Sequence, residues 1–180
     1  MAMTNQRKIE AILLYFTNFT NLKYLGKVKL MKLFYFLDFT HAKRYGSPVT
    51  YDTYYNLEHG PIPSKIKNMV YELSEEGDNA VLGNVVRCEF PKRTKMCRIV
   101  PRRNFTDSDR NTLSETEFSV LREIAERFAE TNTDDIEEQS HNESPWKMTR
   151  RSDRIPYYLA AFDEDAIVSK EEIELVMSLV

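Results

Sequence analysis

The chain has 180 residues, 42% hydrophobic and 29% charged, with ten Tyr, ten Phe and one Trp: enough to bury one sizeable core and cramped for two independent domains. A formal net charge of -3 and a mean hydropathy of -0.52 point to a soluble protein and weigh against a general nucleic-acid binder, which is more often basic. Lys27, Lys29, Lys32 and Asp38 interrupt the most apolar stretch, so no run of about eighteen apolar residues is available to cross a bilayer, and no secretory cleavage pattern is present; a cytoplasmic protein is expected.

The first predicted helix covers residues 5 to 20, where Ile9, Ile12, Leu13, Phe16 and Phe19 recur near the 3.6-residue period and Asn5 suits a cap. A second helix is predicted over about 27 to 45. Leu30, Met31, Leu33, Phe34, Tyr35, Phe36, Leu37 and Phe39 make it apolar around most of its circumference, so neighbours must enclose it. Gly46 can end it in a left-handed conformation, and Pro48 blocks continuation.

Between Tyr51 and Ser64 the reading stays open. Tyr54, Tyr55 and Leu57 suit a short helix or a strand, whereas Gly60-Pro61-Ile62-Pro63 requires a turn and extended backbone. Ser64 then suits the cap of a third helix carrying Ile66, Met69, Val70 and Leu73, which Gly77 closes.

Two strands are predicted around Val85 to Phe90 and Lys95 to Val100, joined by a basic connection near Pro91. Cys88 and Cys97 lie on them. Two cysteines are too few for a disulfide framework and are not spaced as a zinc knuckle, so both are expected as reduced thiols that can meet across the strands. Residues 101 to 112 read as a charged linker. Ser114 and Glu117 form a capping box before Phe118, Leu121, Ile124, Ala125 and Phe128; Thr133 to His141 suits a short helix; Ser144-Pro145-Trp146 ends it or begins a rigid corner. Tyr157-Tyr158-Leu159 is apolar but untyped, and Ser169 with Glu172 caps a last helix bearing Ile173, Val176 and Met177. Helices thus outnumber strands, and the expected class is α+β, mainly helical, with a small antiparallel hairpin.

Charge is polarised along the chain. Residues 1 to 69 hold ten Lys/Arg against four Asp/Glu, and residues 111 to 180 hold seven against seventeen. The asymmetry can attract a charged partner or be neutralised inside the fold. Arg87, Lys92, Arg93, Lys95, Arg98, Arg102 and Arg103 form the strongest basic segment, able to meet a phosphate backbone, an acidic protein or solvent.

The residue choices that exceed generic packing fall in ordered blocks. They are Lys29-Leu30-x-Lys32-Leu33-Phe34-Tyr35-Phe36 with Asp38 and His41; Tyr45-Gly46-x-Pro48; Asp52-x-x-Tyr55; Glu58-His59-Gly60-Pro61-Ile62-Pro63-Ser64; and His141-x-x-Ser144-Pro145-Trp146. In this order they resemble the antitoxin SocA-like Panacea family, from residue 9 to about 179, with residues 78 to 112 matching by type rather than motif. Met31 and Phe36 depart from the common pattern. The resemblance implies one domain over 1–180 with a basic hairpin insertion at about 81–103, and an antitoxin that binds a cognate toxin protein. One similar protein also hands its toxin to a protease as an adaptor. No cofactor, metal or catalytic residue is implied, and nucleic acid and membrane are not expected partners.

The residues that would carry signature or partner contacts are Lys29, Lys32, Tyr35, Asp38, Tyr45, Asp52, Glu58, His59, Gly60, Pro61, Pro63, Arg93, Lys95, His141 and Trp146. Each also has a structural reading. Lys29, Lys32, Tyr35 and Asp38, spaced by three, form either a cleft or an internal network of salt bridges and hydroxyls. His59, with Glu58 as a possible partner, suits a rigid recognition corner better than acid–base chemistry, because neighbouring residues in extended backbone point apart. His41, His59, His141 and the two cysteines lack zinc spacing. Trp146 is a packed corner or an exposed anchor. The rival functions are an enzyme acting through His59 and a DNA-binding repressor, although no fused DNA-binding module is evident.

Overall fold

A computed structural model describes residues 2–92 and 96–179, with side chains from residue 5 onward. The first helix, α1, spans Ala2–Phe19, and α2 spans Lys27–Tyr45, as its composition predicts. Every residue of α2 from Lys29 to Lys43 is buried, which explains a sequence with almost no polar face. The helix ends at Gly46, whose φ of 82° is the left-handed conformation that glycine adopts without a Cβ penalty.

The untyped segment is a hairpin. β1 (Tyr54–Leu57) and β2 (Gly60–Pro63) pair antiparallel from Tyr54↔Pro63 to Leu57↔Gly60, leaving Glu58 and His59 as a two-residue turn. Pro61 and Pro63 are tolerated because β2 is an edge strand of the sheet β2-β1-β5, in which β5 is Arg154–Ile155. α3 (Ser64–Glu76) follows directly, its buried face made of Ile66, Met69, Val70 and Leu73.

β3 (Val86–Glu89) and β4 (Arg98–Pro101) form a separate two-stranded ribbon. It docks on the entry to α2, with the Ile99 amide donating to the Leu25 carbonyl at 3.0 Å. After a short helix α4 (Asp107–Arg110) come α5 (Glu115–Phe128), α6 (Thr133–Asn142), α7 (Ser144–Lys147), a 3-10 helix (Tyr157–Phe162) and α8 (Lys170–Ser178). α2 is the hub: α5, α6, the first hairpin and the 3-10 helix all pack on it. Edge-to-face and tilted rings tie these neighbours together, among them Phe16–Phe34, Phe36–Phe128, Phe39–Tyr54 and Phe39–Tyr157.

Four local expectations are corrected. Asn5 lies inside α1 rather than capping it, and its amide donates to the Thr50 carbonyl at 3.3 Å. Ser64 is the first residue of α3; the amides of Lys65 and Ile66 are taken instead by the Asp52 carboxylate, at 2.9 and 2.8 Å. Residues 101 to 112 are not a plain linker, since α4 sits within them. Cys88 and Cys97 form a disulfide rather than two free thiols, because the ribbon register sets them diagonally across from one another with Cα atoms 5.4 Å apart. Both predicted capping boxes form, at Ser114/Glu117 and Ser169/Glu172. Part of the polarised charge meets within the fold: Lys8 with Glu117 at 2.6 Å, Arg44 with Glu123, and Lys43 with Glu143, Asp163 and Asp165.

Candidate partner-binding site

The polar line on α2 does not pair with itself. The Lys29 ammonium donates to the carbonyls of Ala129 (3.2 Å) and Thr131 (2.7 Å), which close the C-terminal end of α5, where a cation is favoured. Lys32, wholly inaccessible, donates to the Pro61 carbonyl at 3.0 Å, and burial holds its ammonium down to about 7. Tyr35 is buried beside Glu143, with burial first and that carboxylate second raising the phenol well above its ordinary range. Asp38 accepts from the amides of Val49 (2.8 Å) and Thr50 (2.7 Å), from the Thr50 hydroxyl, and from the Tyr54 phenol at 2.8 Å. Burial raises its carboxyl to about 6 in spite of these bonds. Of the internal network of salt bridges and hydroxyls, the hydroxyl part forms around Asp38, whereas the two lysines bond to backbone carbonyls of distant segments instead of to carboxylates.

The second signature block divides in two. Asp52 is a scaffold residue: besides holding the first turn of α3, it accepts the Thr53 amide at 2.7 Å, and its carbonyl accepts the Tyr157 hydroxyl at 2.6 Å. Gly60, Pro61 and Pro63 are buried. Gly60 has a φ of 90°, and a Cβ there would lie 2.6 Å from Lys32 Nζ, 2.9 Å from Ser140 Oγ and 3.0 Å from His141 Nε2. Glycine is thus dictated both by conformation and by close approach. Glu58 and His59, by contrast, stand out from the turn with side chains 75% and 67% exposed. They do not pair with each other: Glu58 faces Arg151 at 3.6 Å, and His59 Nδ1 faces Glu137 at 3.4 Å.

The remaining candidates scatter. His141 stacks on Trp146 with ring centroids 4.2 Å apart, and its Nε2 is buried without a hydrogen bond; burial lowers its pKa. Trp146 is half-buried in this stack, at the side of the fold where α6 meets α7. Tyr45 is 47% exposed at the far end of α2, packed on His41. His41 itself donates from Nδ1 to the Ser47 carbonyl (2.6 Å), which leaves Nε2 to accept from Thr116. Arg93 and Lys95 lie outside the described residues. Of the other basic ribbon residues, Arg87 pairs with Glu89, Arg102 with Asp78, and Arg103 with Asp109.

What the exposed turn borders is a groove. Leu57, Glu58, His59 and Ile62 of the hairpin, Val28 and Met31 of α2, and Lys67 and Tyr71 of α3 enclose a mostly apolar recess of about 270 Å³. It shares Lys27, Val28 and Tyr71 with a wider, shallower depression of about 520 Å³ that runs on to Phe90, Met96 and Cys97 of the ribbon. The hairpin tip and the ribbon, far apart in sequence, thus flank one continuous surface. Tyr71 is 45% and Phe90 62% exposed. The Lys27 ammonium lies 4.1 Å and the Lys67 ammonium 5.7 Å from the centroid of the Tyr71 ring. Lys27 also donates to Ser74 at 2.6 Å, and burial lowers its pKa while Glu75 opposes the shift.

Sequence reading missed Lys27, Val28, Lys67, Tyr71 and Met96 as surface residues of interest. One signal was available: Lys67, Tyr71 and Ser74 follow at i, i+4 and i+7, a second stripe beside the core stripe of α3 that places an aromatic ring outside the core. Among the described residues no group of three or more His, Cys, Asp or Glu is arranged to hold a metal, and no helix is long and apolar enough to cross a membrane.

Comparison with known families matches residues 30–147 to the antitoxin SocA-like, Panacea domain. The match spans α2 through α7, and the chain belongs to this family of toxin–antitoxin systems. No curated protein and no solved structure matches the chain.

Proposed function

We propose that this protein is the antitoxin of a toxin–antitoxin pair and silences its toxin by binding it directly, with the groove between the Glu58–His59 turn and the β3–β4 ribbon as the contact surface. The observation that carries this reading is the division of the signature. Its buried members are bonded into the scaffold, while Glu58 and His59 stand exposed at the edge of an apolar recess flanked by Tyr71 and Phe90. Exposed aromatic residues beside an apolar recess are the usual anchors of protein interfaces. Occlusion by a rigid surface suits a fold whose hub helix is buried from Lys29 to Lys43.

The same geometry weighs against the rivals. Arg87, Arg102 and Arg103, which a nucleic-acid binder would present to phosphates, are engaged with carboxylates of the same chain. An enzyme acting through His59 would rely on Glu137 as its carboxylate partner, not on its neighbour Glu58. Delivery of the toxin to a protease is a later step that also begins with binding.

The test is coexpression with the protein encoded beside this gene. The expected result is restored growth together with copurification of the two chains. Rescue without copurification, accompanied by a covalent change in the toxin or in its target, contradicts the proposal.

A further inference from the structure

We infer that the groove takes a particular kind of toxin segment: an extended or helical stretch that inserts one aromatic or long aliphatic side chain and sets a carboxylate beside it. This rests on the direct-binding reading above and adds the chemistry of the partner.

The size of the recess sets the first half of the inference. At about 270 Å³ it lies just below the ~300–1,000 Å³ range of pockets that enclose whole small ligands, so it has room for one large side chain rather than a cofactor. Its walls supply the apolar Val28, Met31, Leu57 and Ile62 together with Tyr71, and two of these five are adaptable in different ways. Met31 can reshape around an incoming group, and Tyr71 offers a ring face already half uncovered.

Charge sets the second half. Lys27 and Lys67 converge on Tyr71 from two helices, and neither has an ion-pair partner among the described residues. Neither Glu58, which lines the recess, nor Glu75 forms an ion pair with them: Glu58 faces Arg151, and Glu75 acts on Lys27 only through space. Two ammonium groups bracketing an apolar recess select a carboxylate next to an apolar side chain and repel a lysine or arginine in that place. The shallower extension toward Phe90 and Met96 gives the flanking residues of the segment a place to lie.

The experiment titrates isotope-labelled protein with two probes, acetyl-Asp-Phe-Asp-amide and acetyl-Lys-Phe-Lys-amide, while following backbone amides by NMR. The inference expects shifts centred on Val28, Met31, Ile62 and Tyr71 with the acidic probe, at least tenfold weaker binding of the basic one, and reversal of that preference in Lys27→Glu/Lys67→Glu. Lys67→Glu alone serves as the second variant should the double one fail to fold. Equal binding of the two probes, or shifts centred elsewhere, overturns the inference.

A parallel arm uses the coexpressed toxin. Loss of copurification in the charge-reversed variant, with unchanged melting, supports the inference. Undiminished copurification overturns it while leaving direct binding intact, whereas a wild type that captures no toxin overturns direct binding itself. Sedimentation of the wild type alone covers the remaining occupant: a dimer that dissociates in the variant gives the groove to a second copy of this chain and overturns the assignment to the toxin.

Discussion

The two ends of α2 belong to one helix, yet they are finished in opposite ways. Toward the C-terminal end, Asp38 is inaccessible and receives four bonds from the loop that follows and from Tyr54. Toward the N-terminal end, Lys27, Val28 and Met31 line an open groove, and among the described residues the lysine there pairs with no carboxylate. Signature members fall on both sides of this divide, Asp38 within the scaffold and Glu58 and His59 at the edge of the groove, so membership does not distinguish a contact residue from a scaffold residue. Whether the polar group has been satisfied inside the fold does.

The largest expected effect lies at the closed end. Asp38→Ala leaves two buried amides, a hydroxyl and a phenol without their acceptor, at a cost of about 3 kcal/mol or more. Thermal melting should fall by roughly 10 °C in a chain of this size. A loss of only a degree or two would break the comparison.

Gly60→Val comes next. It forces a β-branched residue to a φ of 90° and drives its Cβ against the buried Lys32 ammonium, at a cost of about 2 kcal/mol. Both melting temperature and toxin neutralisation should drop, since the turn that presents Glu58 and His59 depends on this position. A variant that melts like the wild type would show that the hairpin can relax around the contact.

Lys32 makes the buried part of α2 sensitive to pH. Its ammonium is held at about 7 in the folded protein against an ordinary 10.5, so between those values the unfolded chain retains a proton that the folded one has released. Stability contributed by this group accordingly rises as pH climbs from 7 toward 10.5, and is lost as pH falls back through that window. Asp38 works in a separate window and in the other sense: its folded value near 6 lies above the ordinary 3.8, so its contribution declines as pH rises from about 4 to 6. Melting measured from pH 7 to 9.5 should show a rise that Lys32→Met reduces most between pH 7 and 8, because Lys29, whose ammonium burial lowers to about 8, supplies a further rise above that. An identical slope in the variant would assign the pH dependence to other groups.

The smallest effect is expected at the ribbon. Reversing Arg93 and Lys95 together should weaken toxin binding by about fivefold at low salt without lowering the melting temperature, with the difference shrinking as added salt screens the charges. Unchanged affinity at every salt concentration would remove this connection from the contact surface.

Much of the scaffold was legible because it obeys local periodicity. α2 begins and ends where its composition predicts, and the caps at Ser114 and Ser169 form as read. The hairpin was harder because Pro61 and Pro63 argue against a strand unless the strand is known to be an edge, and edges are set by tertiary pairing. Asp52 was recognised in the signature but not as the group holding the first turn of α3, since its partners lie 13 and 14 residues away. Spacing by three left Lys29, Lys32, Tyr35 and Asp38 open to a cleft or to an internal network of salt bridges and hydroxyls; the carbonyls that the two lysines meet are 29 to 102 residues distant, beyond the reach of any local pattern. The groove was the least legible feature, because it exists only where α2, the hairpin, α3 and the ribbon converge. Glu58 and His59 marked one of its edges in the sequence, and the off-stripe Tyr71 was the remaining clue.

The most direct test of the open-end account is the affinity of the toxin encoded beside this gene for His59→Ala, measured by calorimetry alongside thermal melting. His59 is exposed and outside the scaffold, so the account predicts unchanged melting and a loss of affinity of about tenfold, equivalent to about 1.4 kcal/mol. A folded variant that binds the toxin as tightly as the wild type would contradict the placement of the contact surface at this turn.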